Sequence, residues 1–152
     1  MNMINNDDPN RVRRLVLELR AGDRMLVNGA ALQFQTRASV VLSNRARFLF
    51  GKQILAPDDA RTPARRLYFA MQAAYVCEDA ERPQYLGFAR ALAQDYLEAT
   101  SNAAVLRILH QAMDDLEADR CWEAMRRVRE LFAHDDAMLA HAAPEPAQGA
   151  PG

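Results

Sequence analysis

Hydrophobic residues in this chain change their spacing once, at Pro57, and that change limits what the chain can fold into. Ahead of it the spacing is two: Leu15, Leu17 and Leu19 alternate with Val16, Glu18 and Arg20, which sets one face of a strand on a core. Ala21-Gly22-Asp23 reads as a turn, and Met25-Leu26-Val27 resumes the extended run. Asn28-Gly29 is a strong hairpin signal, because both residues tolerate positive φ at low cost. Ala30 to Phe34 is then the returning partner strand, and residues 37–42 and 46–50, split by Ser43-Asn44, are two further short strands. The spacing predicts a small antiparallel β-sheet or partial barrel built from hairpins.

Beyond Pro57 the spacing becomes helical. Asp58, Asp59 and Ala60 suit a short helical turn, and Thr62-Pro63 reads as an N-cap followed by proline at the first helical position. Leu67, Met71 and Tyr75 recur at every fourth residue, so a helix over 63–77 is predicted. Pro83 opens a second, with Phe88, Leu92 and Tyr96 on one face. Ser101 or Asn102 caps a third, carrying Val105, Leu106, Leu109, Met113 and Leu116. A fourth runs from Cys121 to Ala133, burying Trp122, Met125, Val128 and Phe132. The link Ala118-Asp119-Arg120 is short enough to make the last two an antiparallel pair. The expected architecture is α+β. A disordered leader (1–11) precedes a β-rich subdomain (12–56), a four-helix subdomain (57–134) follows, and a disordered Ala/Pro-rich tail (135–152) ends the chain.

Half of the residues are hydrophobic, ample for a packed interior and too many for a disordered chain. No window approaches the roughly 18 apolar residues that span a bilayer. Met1 to Asn10 is polar and lacks the apolar run of a secretory signal, so a cytoplasmic protein is expected, with no membrane partner. Cys77 and Cys121, the only cysteines, are far apart and read as reduced and buried, not bridged.

The net charge of −1 conceals a division. Residues 1–66 hold eleven Arg and one Lys against six acids, a balance of +6, whereas residues 67–152 hold seven Arg against fourteen acids, a balance of −7. Two readings stand side by side: a basic half that meets a polyanion, or a basic face docked on an acidic one within the molecule or across a homo-oligomer. The near-exclusive use of Arg suits phosphate but is equally what a GC-rich genome produces.

Motifs of catalysis are missing. His110, His134 and His141 have no metal-ligand spacing, no serine stands in GxSxG, and neither GxxxxGK[ST] nor GxGxxG occurs. The acid pairs 58–59, 114–115 and 135–136 fall at turns or on exposed helix faces. No enzyme, cofactor or metal is expected. The candidate site is instead RNA-binding. Arg24 flanks the first hairpin; Arg37, Arg45, Arg47 and Lys52 flank the later strands; Arg61, Arg65 and Arg66 crowd the start of the first long helix. Three arginines at a helix N-terminus oppose the macrodipole, so an anionic partner is called for. For at least one of Arg65 and Arg66 that partner is read as an acid of the same chain. Phe34, Phe48, Phe50, Tyr68 and Phe69 interleave with this set, as in readers of single-stranded RNA. Their spacing fits neither RNP1 nor a KH loop; most are read as core, with Phe48 or Phe34 the candidate for exposure.

The stretch LELRAGDRMLVNGAAL (17–32), QIL (53–55), TPARRLYFAMQAAYV (62–76) and RCWEAMRRVRELFAHDD (120–136) resembles the flagellar-biosynthesis repressor family FlbT over roughly residues 14–136. TPARRLYF, at its distance from the NGA turn, is the most specific part. The resemblance implies post-transcriptional control of flagellin through the 5′ untranslated leader of its mRNA, alongside the small regulator FlaF, with no cofactor and no catalytic residue. An adaptor that binds FlaF or flagellin and touches RNA only indirectly is the alternative. One segment departs from the family: Phe48-Leu49-Phe50-Gly51-Lys52-Gln53 stands where relatives commonly carry a charged Leu-Arg-Glu type sequence, so if those charges touch RNA in relatives, this chain binds differently.

Overall fold

The computed structural model describes residues 2–3, 15–44 and 46–142. The α+β class holds. The β-rich part forms two three-stranded antiparallel sheets. In the first, β1 (Asn2–Met3) and β5 (Ala38–Leu42) flank β2 (Leu15–Leu19). In the second, β4 (Ala30–Gln33) and β6 (Phe48–Phe50) flank β3 (Arg24–Val27). Leu17 and Leu19 of β2 meet Met25 of β3 in a small core, covered by Val40, Phe48 and Phe50. The alternation seen in the sequence therefore buries one face of each sheet against the other. Expected disorder over 1–11 is corrected in part, since Asn2–Met3 pair with Val16 and Leu15; the rest of that leader lies outside the described residues.

The hairpin forms as the sequence predicts, with Val27 paired to Ala30 across the turn. Asn28 (φ 47°) and Gly29 (φ 85°) both take the left-handed conformation that a two-residue turn needs to match strand twist. Gly29 N–H also donates to the Val76 carbonyl. That carbonyl ends α1 (Pro63–Val76) and has no partner within the helix, so the hairpin tip docks on the helix end.

Helix α1 is buried along most of its length, through Ala64, Leu67, Tyr68, Ala70, Met71 and Ala74 among others. A helix apolar on so many sides belongs in the middle, and it packs against α2 (Arg82–Ala99), α4 (Cys121–Arg129) and α5 (Phe132–Ala142). Thr62 caps it as predicted, its Oγ1 accepting from Arg65 N–H at 3.1 Å. Fully buried Ala89 and Ala93 on α2 let that helix approach closely. Asn102 caps α3 (Ala103–Glu117) by accepting from Ala104 and Val105, and α3 turns back onto α4 through the predicted link. A 3₁₀ turn over Pro57–Asp59 is the short helical turn read in the sequence. Another covers Gly51–Gln53, where β6 hands its Leu49 to the helical core.

The end of the bundle corrects the sequence reading. The helix expected over 121–133 stops at Arg129, and a separate helix α5 occupies 132–142, where a disordered tail was expected from residue 135. Phe132 continues the spacing of Trp122, Met125 and Val128, so periodicity shows no break. The chain turns at Glu130-Leu131, where Glu130 N–H bonds to the Arg127 carbonyl and Leu131 N–H to that of Val128, and both Leu131 and Asp135 are buried. Residues 143–152 lie outside the described residues.

Candidate nucleic-acid interface

The basic residues singled out above do not gather in one place. Arg24 stands exposed on β3, Arg37 exposed in the link from β4 to β5, and Lys52 exposed in the Gly51–Gln53 turn. Arg61 is exposed, with its Nε donating to the Asp58 carbonyl at 2.8 Å. Arg45 lies outside the described residues. Arg47 is half-buried on a cavity of about 100 Å³, facing Tyr75, Arg82, Arg120 and Trp122. That places it at the C-terminal end of α1, about 20 Å from the arginines at the opposite end of a 14-residue helix. Arg47, whose cavity Asp119 and Glu123 also line, and the Arg61–Arg66 cluster lie in two separate places.

Arg65 and Arg66 divide as helical phase dictates. Arg65 grips Asp136 of α5 with two parallel bonds, Nη1 to Oδ1 at 2.6 Å and Nη2 to Oδ2 at 3.0 Å. Its guanidinium lies 4.7 Å from the centre of the Phe132 ring. The hydrogen bond to Asp136 holds the Arg65 pKa above its ordinary value and that of Asp136 below its own. Arg65 is thus the internally paired residue of the two. Arg66 points outward, on the rim of an open groove of about 560 Å³ between α2 and α5.

The pattern of ion pairs is more informative than any one position. Five occur among the described residues: Arg65–Asp136, Arg82–Asp79, Arg90–Glu117, Arg120–Asp115 and Arg127–Asp115. All lie within the helical part. Among the described residues no cation of the β-rich part (Arg20, Arg24, Arg37, Arg47 or Lys52) joins a carboxylate, nor does Arg61 ahead of α1. The acids nearby have other uses, since Asp23 accepts from Arg20 N–H at 2.8 Å and Glu18 from the Ser39 hydroxyl at 3.1 Å. Acids of the helical part pair with four of its own arginines and with Arg65, and the other described cations of the basic half join no carboxylate.

Aromatic placement corrects one expectation. Phe34 and Phe48, the candidates for exposure, are half-buried against the small core with Phe50. Tyr68 is buried, its hydroxyl donating to the Gln53 carbonyl at 2.5 Å, with Arg129 over its ring at 5.6 Å. Phe69 too is half-buried. It lines a groove of about 460 Å³ with Arg24, Leu32 and Gln33, and no acid lines that groove.

The family model of FlbT, described as a flagellar protein, matches residues 15–139. This chain belongs to the FlbT family. It is 30% identical over 131 residues to the "Probable flagellum biosynthesis repressor protein FlbT" of Brucella anthropi, covering 86% of each chain. Proteins of the same name from Brucella ovis and Brucella canis are 31% identical over 123 residues, covering 81% of this chain and 80% of each relative. No solved structure matches. The FlbT match takes in both sheets, apart from β1, and all of the helices to within three residues of the end of α5.

Among the described residues of this FlbT-family chain, no three His, Cys, Asp or Glu side chains stand close enough to hold a metal ion. No helix there is long and apolar enough to cross a membrane. The cysteines are free, and burial raises the pKa of both, that of Cys121 to about 12; neither thiol is activated. Sequence reasoning passed over the polar centre at α5. Asp135, 5% exposed, accepts from the Tyr96 hydroxyl and, at 2.7 Å, from Ala64 N–H in the first turn of α1. An acid pair on a supposed tail offers no sign of this, because its partners lie 39 and 71 residues away.

Proposed function

We propose that this FlbT-family chain regulates flagellin synthesis after transcription, by binding the 5′ untranslated leader of flagellin mRNA and altering its stability or translation. The observation that carries the reading is the set of exposed cations that join no carboxylate among the described residues: Arg24, Arg37 and Lys52 on the β-rich part, with Arg61 and Arg66 around the start of α1. Charge that the fold does not neutralise internally is available to a polyanion. The relatives named as probable repressors of flagellum biosynthesis favour the same direction. Phosphate contacts would supply most of the affinity, and unpaired bases in the leader the selectivity.

The test is a titration of purified protein with the leader and with a scrambled RNA of equal length, at low and near-physiological salt. Selective, salt-weakened binding of the leader is expected. Equal binding of both RNAs, or none, would sink the proposal.

A second reading has one observation behind it: the open groove between α2 and α5, lined largely by Leu92, Tyr96, Met138 and Leu139. Such a groove suits an amphipathic helix of a protein partner, and an adaptor bound to FlaF or flagellin would use it. Co-elution with FlaF in gel filtration, together with failure to bind leader RNA alone, would favour this reading over the first.

A further inference from the structure

Among the described residues, strand β4 borders its sheet, bonded to β3 on one side and to no strand on the other. Its hairpin turn has two residues, so Val27 and Ala30 form the closing hydrogen-bonded pair, and bonding then alternates along the ladder. Ala30 and Leu32 direct their backbone groups to β3. Phe34 continues this phase, accepting from Gly22 N–H at 2.7 Å and donating to the Asp23 carbonyl at 2.9 Å. The N–H and C=O of Ala31 and Gln33 therefore face outward.

Natural edges are guarded by charge, proline, bulges or a covering loop. This one reads Ala-Ala-Leu-Gln, all four residues are exposed, and Leu32 keeps 44% of its surface in water. Beside it runs the groove of about 460 Å³ lined by Leu26, Leu55 and Phe69, which leaves room for side chains of an added strand.

We propose that the free edge of β4 pairs antiparallel with β4 of a second copy of this chain, about a twofold axis through Leu32. An axis perpendicular to the sheet keeps each side chain on its own face, so Leu32 meets Leu32 of the second copy. Ala31 exchanges both backbone bonds with Gln33 of that copy, and Gln33 with its Ala31. The outward phase just derived is the one this register requires. Leu32 then occupies a non-hydrogen-bonded position, where facing Cα atoms approach to about 4.5 Å, and both exposed leucines leave the water. The strand carries no charge, so self-pairing sets no like charges opposite each other. Arg24, paired with Gln33 at one end of the hairpin, falls at opposite ends of the joint in the two copies. The result is one sheet running β6-β3-β4 and back through β4-β3-β6, isologous and closed.

The test uses the full chain. Light scattering should give the wild-type protein twice the mass of its Gln33→Pro variant, whose ring removes an outward N–H without touching the β3 ladder. Mild oxidation should convert Leu32→Cys to a covalent dimer, while the wild-type chain, which keeps Cys77 and Cys121, stays uncrosslinked. If Gln33→Pro does not fold, the crosslink alone decides. A wild-type monomer from micromolar to near-millimolar concentration would overturn the proposal and leave the edge to an extended segment of another protein. A dimer whose Leu32→Cys form does not crosslink would place the interface elsewhere and overturn it too.

Discussion

Asp135 caps a helix to which it does not belong. Its carboxylate holds an N–H in the first turn of α1 and the hydroxyl of buried Tyr96, and burial followed by that hydrogen bond pushes the Tyr96 phenol up. Asp135→Ala would leave two buried donors without a partner. The expected cost is about 3 kcal/mol, from the usual penalties for a lost cap and an orphaned hydroxyl. Urea unfolding followed by circular dichroism measures it, and a loss under about 1 kcal/mol would show that water replaces the carboxylate. Asp115 poses a different problem. Burial raises its pKa, but bonds from Arg127 at 2.5 Å and Arg120 at 2.8 Å more than offset this and hold it below its usual value. A carboxylate depressed on folding stabilises fully above its unfolded pKa, near 4. That contribution drains away as pH falls through the lower folded value. Asp115→Asn should therefore cost about 2 kcal/mol at pH 7, less than for a fully buried pair because both arginines are about half exposed. The gap between the two proteins should narrow below about pH 4. Equal gaps at pH 7 and pH 3 in denaturant titrations would contradict this account.

Helix α5 is the element whose position depends most on specific side chains. Met138 and Leu139 are more than half exposed, so its apolar burial is slight, and it is held through Phe132, Asp135 and Asp136 against α1. Arg65→Ala removes the fork on Asp136 and the cation over Phe132. Both are partly exposed and screened by water, so the loss should be felt locally and not by the whole fold. Hydrogen exchange should quicken in residues 132–142 while the rest of the bundle is unchanged, and Arg66→Ala should leave that exchange as it was. Uniform quickening would mean that α5 is no separate unit. In the sequence α5 was invisible as a separate helix, because neither glycine nor proline marks the turn at Glu130-Leu131 and the apolar spacing runs straight through. By contrast the hairpin, the Thr62 and Asn102 caps and the start of α1 were legible, because their causes lie within four residues of one another.

At the scale of the whole molecule, the division of charge survives folding. It might have closed on itself, basic part against acidic part. Instead the helical carboxylates pair with helical arginines, and Arg65, at the head of α1, is the one cation of the basic half drawn into an ion pair among the described residues. If the remaining cations meet RNA phosphates, the leader titration acquires a magnitude. Each contact contributes a slope of about 0.7 in log affinity against log salt for a single strand. Replacing Arg24, Arg37 and Lys52 together by Ala should then lower the slope by about 2. An unchanged slope would remove these three from the interface.

The sequence by itself determined the α+β class, the hairpin and its turn, the helix starts and the family, because all of these follow from periodicity, from local backbone preference, or from motifs read in order. It also divided the charge, since that needs only counting. What remained open was which arginine meets which acid, where Phe34 and Phe48 face, and where the last helix bends. Only the tertiary structure decided those, because each depends on groups that folding brings together from distant positions: Arg65 and Asp136 are 71 residues apart, a distance that no local pattern spans.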